Sequence, residues 1–203
     1  MRTSASAKLP AERTGSLARS LCILPALCTD GSASEDVFAY SAMILVGAGI
    51  GVTPFASILR TLSIQMKQGR LETPLKKVQF YWVCRDEKEF EMFKELLVGV
   101  VDDHILAEVF SLYTYITGEI DLKKVNAKDK YHQFAGKPDW RRIGKEMRQK
   151  FPDHDVGVFL CGPNAIGEQL KSMCDSLNPK KEPGRRYAPG ELGPRFVFHK
   201  ETF

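Results

Sequence analysis

No run of about 18 apolar residues occurs in the chain, so no segment reads as a membrane-spanning helix. No Cys-x-x-Cys pair occurs either. The five cysteines (Cys22, Cys28, Cys84, Cys161, Cys174) are an odd number at irregular spacing, which argues against a zinc site or a disulfide framework and for a reduced, cytosolic setting. A Gly-Lys-Ser/Thr triplet is missing, which excludes a Walker phosphate loop. The four histidines (His104, His132, His154, His199) are scattered and fit structural or surface roles better than metal ligation. Charge of one sign is also scarce: a net +4 over 203 residues suits an anionic small ligand and lies far from a nucleic-acid footprint. There is no internal repeat.

What is present is the composition of a globular domain, 43% apolar and 27% charged, long enough to bury a core. Residues 1–29 read as a disordered leader rich in Ser, Ala and Arg. Within them Ser16–Cys28 has a second reading, a weak targeting signal broken by Pro25. Strand and helix signals then alternate, which predicts a three-layer α/β domain on a parallel sheet. Strands are expected at Ala42–Val46, Val78–Cys84, Val109–Ile116 and Val156–Cys161, with a fifth in the closing "RFVFHKETF". Helices are expected at Pro54–Met66, through "EKEFEMFKELLVGVV" (Phe90, Phe93, Leu96, Leu97 and Val100 at helical spacing), at Trp140–Phe151 and at Asn164–Leu177. Thr53 is expected to cap the first helix, with Pro54 at its first position. Residues 118–138, with five lysines, read as a loop, and residues 178–194 as a mobile Pro/Gly-rich connector.

The chemistry concentrates at strand ends. "AMILVGAGIGVTPFASIL" runs an apolar strand into Gly47, Gly49 and Gly51 and then a helix. Bare glycine backbone next to a helix N-terminus suits a phosphate, although the spacing is G-x-G-x-G rather than G-x-G-x-x-G. A plain tight turn is the structural alternative. After the second strand, Cys84-Arg85-Asp86 sets a guanidinium where NAD enzymes carry a carboxylate. That favours the 2′-phosphate of NADPH, unless Arg85 instead pairs with Asp86 or Glu89 on the surface. Lys137, in "GKPDW", is a second cation that a loop could bring to the same phosphate. Cys161, in "LCGP" at the end of the fourth strand, falls where a nicotinamide would lie. A core cysteine and a nucleophile are the other options, the last without any acyl-transfer partners in sight.

These motifs, with "FYWVCRD", "YITG", "GVFLCGP" and the terminal "FVFHKETF", make residues 30–203 resemble the C-terminal dehydrogenase region of NADPH oxidases. That region belongs to the ferric reductase and ferredoxin–NADP reductase superfamily, and "DGSASEDVF" is most similar to its fungal branch. The resemblance implies a ferredoxin–NADP reductase-like NADPH-binding domain over residues 30–203. Gly47, Gly49, Gly51, Thr53 and Pro54 would cradle the pyrophosphate. Arg85 and Lys137 would meet the 2′-phosphate, Lys137 standing where the family often has arginine. Cys161, Gly162 and Pro163 would line the nicotinamide pocket, and Phe203 would stack on the flavin. The catalytic pair would thus be Cys161 and Phe203, with no metal.

In that family electrons run from NADPH to FAD, to two membrane haems and to dioxygen, giving superoxide, with the NADPH-binding lobe on the cytosolic side of a membrane. The FAD-binding barrel with its His-Pro-Phe-Thr-type motif is absent from this sequence, as are the haem-bearing helices. "DGSASEDVF" also lacks the expected Pro-aromatic-Gly. A truncated or mis-joined gene product would account for all three. The implied partners are NADPH, a flavin domain, a membrane haem domain and cytosolic regulatory subunits, with no nucleic acid. The alternatives are a lobe of a ferric or other flavin reductase and a non-catalytic nucleotide-binding regulatory module that uses the lysine-rich loop. Cys161→Arg is expected to block hydride transfer while leaving the fold intact.

Overall fold

The computed structural model describes residues 36–71, 74–86, 88, 89, 91, 95, 97, 104–118, 132–180 and 192–201. All of them belong to the compact unit Ser32–Phe203. The leader expected at 1–29, Phe203, residues 30–35, residues 119–131 and residues 181–191 lie outside the described residues. So do Phe90, Phe93, Leu96 and Val100 of the second expected helix, whereas Lys88, Glu89, Glu91, Glu95 and Leu97 are helical.

Six strands form one fully parallel sheet: β1 (Ala42–Ala48), β2 (Lys77–Cys84), β3 (Phe110–Ile116), β4 (His132–Ala135), β5 (Val156–Cys161) and β6 (Phe196–Glu201). Their order is β4-β3-β2-β1-β5-β6. The chain winds outward from β1 through β4 and then crosses to the other side of β1. The strand order therefore reverses between β1 and β5, where doubly wound sheets open a crevice at their carboxyl ends. Besides the helical residues between Lys88 and Leu97, the described residues form α1 (Val52–Lys67), the short α2 (His104–Ala107), α3 (Trp140–Lys150) and α4 (Asn164–Leu177).

The sheet is covered on both faces, which explains why β1 and β5 are apolar along their length instead of alternating. Met43, Leu45, Phe80, Trp82 and Phe159 pack with Phe55, Leu59 and Leu62 of α1 on one face. Ile44, Val46, Val158 and Leu160 pack with Ile143 and Met147 of α3 and Leu170 and Met173 of α4 on the other. The helical spacing read from the sequence places Trp140, Ile143 and Met147 in this core, as expected.

Two expectations need correction. Among the described residues the sheet has six strands, not five, because part of the segment read as a loop forms β4 on the edge beyond β3. His-Gln-Phe-Ala is four residues long and mostly exposed, so it carries no apolar alternation. Its order comes from pairing Tyr113 with His132 through to Ile116 with Ala135, and from stacked rings of Tyr115 and Phe134 at 5.0 Å. Thr53 is not the cap of α1. A 3-10 turn at Gly49–Gly51 runs directly into the helix, so Gly51 occupies the cap position and Pro54 is the third helical residue. The Thr53 hydroxyl donates back to the Ile50 carbonyl.

Candidate functional site

The three glycines serve different local needs. Gly49 has φ of 55°, in the left-handed region that a side chain disfavours. Gly51 is required by close approach: a Cβ there would lie 2.1 Å from the Cys161 carbonyl oxygen and 3.0 Å from its sulfur. Gly47 is a buried strand residue, paired with Trp82 on β2 and Cys161 on β5. The indole Nε1 of Trp82 donates to the Gly49 carbonyl at 3.3 Å, tying the turn to β2.

The end of β2 is fixed by the chain that follows β3. Thr117 donates from its backbone N (2.9 Å) and its hydroxyl (3.1 Å) to the Cys84 carbonyl, and Gly118 N donates to the Arg85 carbonyl at 2.8 Å. "YITG" thus holds the backbone of Arg85 in place. "GKPDW" is held similarly. Gly136 N donates to the Ile116 carbonyl at 2.8 Å, and the Asp139 carboxylate caps α3 by accepting from Arg142 N at 3.1 Å. Lys137 lies between these two anchors.

These anchored ends surround one cleft of about 700 Å³, within the roughly 300–1,000 Å³ typical of cofactor sites. Gly49, Arg85, Lys137 and Pro163 all line it, together with Asp86, Lys88 and Glu89. Residues far apart in sequence therefore converge where the strand order reverses. The surface-pairing alternative for Arg85 does not hold. Among the described residues its guanidinium makes no ion pair, and Glu89 instead accepts from the Arg85 backbone N at 2.6 Å. α1 and α4 both begin at this end of the sheet, and neither has a side-chain hydrogen bond at its cap. The first turn of α4 (Ala165, Ile166) lines the cleft and adds its partial positive charge to that of Arg85, Lys88 and Lys137, whereas the first N–H of α1 is taken up by the preceding 3-10 turn.

Other expected site residues fall elsewhere. Gly47, Gly51, Thr53, Pro54, Cys161 and Gly162 do not line the cleft. Gly162 packs against Ala48, whose Cβ would be 2.9 Å from a Cβ at position 162. Cys161 is 6% exposed and belongs to the core cluster behind the glycine turn. Burial and, secondarily, the Glu201 carboxylate push its thiol up, so it is a neutral packing group and no thiolate nucleophile. Given that burial, a guanidinium placed against Gly51 by Cys161→Arg is expected to disturb the fold as well as any hydride transfer. Among the described residues no cluster of His, Cys, Asp and Glu could hold a metal ion.

Two carboxylates have placements that sequence reasoning does not reach. Glu201 on β6 stands in register with Cys161, and its Oε1 is buried without a partner. Glu89 reaches the glycine turn, its Oε1 lying 2.5 Å from a Cβ position on Gly49. Neither position follows from a motif, because tertiary placement alone brings them there.

A doubly wound parallel sheet with a glycine turn and a cationic cleft at its switch point defines a nicotinamide-dinucleotide-binding domain. The sequence comparisons agree. Residues 40–175 match the ferric reductase NAD-binding domain, and the chain belongs to that family. Human NADPH oxidase 3 is 35% identical over 203 residues, covering 89% of this chain and 33% of that protein. A superoxide-generating NADPH oxidase heavy chain from Dictyostelium discoideum is 39% identical over 153 residues, covering 69% and 29%. Mouse NADPH oxidase 1 is 33% identical over 191 residues, covering 85% and 30%. The chain spans about a third of the length of these relatives. No described helix is long and apolar enough to cross a membrane.

Proposed function

We propose that the cleft binds NADPH and that the chain acts as the NADPH-binding lobe of a superoxide-generating NADPH oxidase. One observation carries the reading: Arg85 and Lys137, from the ends of β2 and of the β4–α3 turn, line the same cleft as Gly49. A guanidinium and an ammonium together suit the doubly charged 2′-phosphate, while Gly49 and the first turn of α4 suit the diphosphate. The residues fit that group, since three cations (Arg85, Lys88 and Lys137) line the cleft beside the bare backbone of Gly49.

NADPH, when bound, supplies a hydride for a flavin acceptor. This chain contributes orientation and charge. Arg85 and Lys137 would fix the adenosine end and the glycine turn the diphosphate. Pro163 would wall the nicotinamide end, with Cys161 and Gly162 packed behind it instead of facing the cleft, and Phe203 would meet the flavin. FAD would be held mainly by a separate domain, with haem, dioxygen and regulatory subunits met only in a full-length oxidase at the cytosolic face of a membrane. The names and lengths of the relatives support this wider assignment. The test is a calorimetric titration of the chain with NADPH and NADH. Tighter binding of NADPH, by about tenfold or more, is expected, and equal affinities would sink the reading.

A further inference from the structure

Glu89 sits in an unexpected place for a cleft that receives anions. Its Oε1 is 2.5 Å from the Cβ position on Gly49, so the carboxylate lies against the bare Cα of the glycine turn. Its Oε2 accepts from Arg85 N at 2.6 Å. Its own backbone N donates to Asp86 Oδ1 at 2.9 Å, which anchors the helical turn that carries it. The carboxylate therefore bridges the segments that follow β1 and β2, on one wall of the cleft. Around it the cleft presents the cations Arg85, Lys88 and Lys137 and the second carboxylate Asp86.

A glycine is useful at such a turn because a phosphate can come close to its backbone. Glu89 lies against that approach with a like charge, and like charges a few ångströms apart repel strongly in a cleft partly shielded from water. We infer that Glu89 is an affinity-determining residue whose carboxylate competes with the dinucleotide's diphosphate for the face of Gly49. Binding requires the side chain to rotate off the turn and release the Arg85 N–H. The effect falls on the diphosphate, which NADPH and NADH share, and not on the 2′-phosphate. This inference rests on the NADPH-binding reading given above.

The alternative is that Glu89 only caps the helical turn. Glu89→Gln separates the two, because the amide oxygen keeps an acceptor for Arg85 N and only the charge is lost. The chain and its Glu89→Gln variant are titrated by calorimetry with NADPH, NADH and adenosine 2′-monophosphate, which lacks the diphosphate. NADPH and NADH are expected to tighten by a similar factor, about tenfold, while adenosine 2′-monophosphate changes less than about twofold. Glu89→Ala, which removes charge and acceptor together, is expected to show the same gain with a lower melting temperature, and it serves if the Gln variant fails to fold. Unchanged or weaker NADPH binding in the variants overturns the inference and leaves the NADPH reading standing. Equal tightening of adenosine 2′-monophosphate also overturns it, moving the effect to the ribose end. Absence of NADPH binding by all three proteins overturns the inference and the NADPH reading together.

Discussion

Gly51→Ala places a methyl carbon 2.1 Å from the Cys161 carbonyl oxygen, 3.0 Å from its carbonyl carbon and 3.0 Å from its sulfur. Real Cβ contacts do not come so near, and the nearest atom is backbone, so no rotamer change relieves the clash. Either the 3-10 turn lifts from β5 or the carboxyl end of β5 shifts away from β1. Both moves loosen the buried packing around Cys161, Phe55 and Phe80. Overpacking of this kind costs about 1–3 kcal/mol, which for a domain of this size lowers the melting temperature by about 2–12 °C. The turn carries Gly49 and the start of α1, so NADPH affinity should fall with stability, by about tenfold or more. The control is Gly69→Ala. Gly69 has φ of 61° but nothing within 4 Å of an added Cβ, so alanine there meets only backbone strain, about 1 kcal/mol. Thermal melts and NADPH titrations of the two variants give the comparison. A Gly51→Ala protein that melts and binds like the wild type would refute the close-approach account, as would a Gly69→Ala protein that loses NADPH affinity.

Three further outcomes are expected. Cys161→Arg should give a chain with lowered melting temperature and a loosened core, whereas Cys161→Ser should fold; a well-folded Arg variant by melting and near-UV circular dichroism contradicts the packing described. Partial burial tends to raise the Asp155 carboxyl, but hydrogen bonds and charge from Arg195, at 2.5 Å in the closest ion pair, outweigh it and hold the group below its ordinary value of 3.8. Its stabilisation is thus present above pH 3.8 and lost as the pH falls through the native value; for so exposed a pair it is under about 1 kcal/mol. The urea-midpoint gap between wild type and Asp155→Asn should therefore be full near about pH 6 and close in acid, and a gap that widens in acid is the contrary result. Finally, burial pushes up the thiols of Cys84, Cys161 and Cys174, the last to about 12. Peptide-resolved alkylation of these three in the folded chain should run at least about tenfold slower than in urea, and equal rates count against the burial described.

How much of this is legible in the sequence follows from where each signal resides. β5 and α4 match their expected limits because a buried parallel strand needs a continuous apolar run and a core helix a 3.6-residue period, and both are written locally. β4 is illegible because an edge strand of four mostly exposed residues owes its order to β3. The glycine stretch is legible as a strand-to-helix turn, but the reason for Gly51 is not, since the atoms it avoids belong to Cys161, 110 positions later in the chain. Arg85 and Lys137 are legible as cations suited to phosphate. Their convergence depends on Thr117, Gly118, Gly136 and Asp139, which anchor the two strand ends. Glu89 is legible as a neighbour of Arg85 but not as a group against Gly49, and Glu201 gives no signal, because a lone carboxylate has chemical meaning only beside the group that it faces.

The most direct test of the NADPH reading compares the NADPH-over-NADH affinity ratio of the wild type with that of Arg85→Ala, Lys137→Ala and the double variant. Charge-assisted contacts of this kind contribute about 1.5–3 kcal/mol each, so each single variant should lower the ratio by about tenfold or more while NADH binding stays within about twofold. In the double variant the ratio should approach one. A ratio that survives both substitutions, or NADH binding that falls as far as NADPH binding, would contradict the assignment of this cleft to the 2′-phosphate.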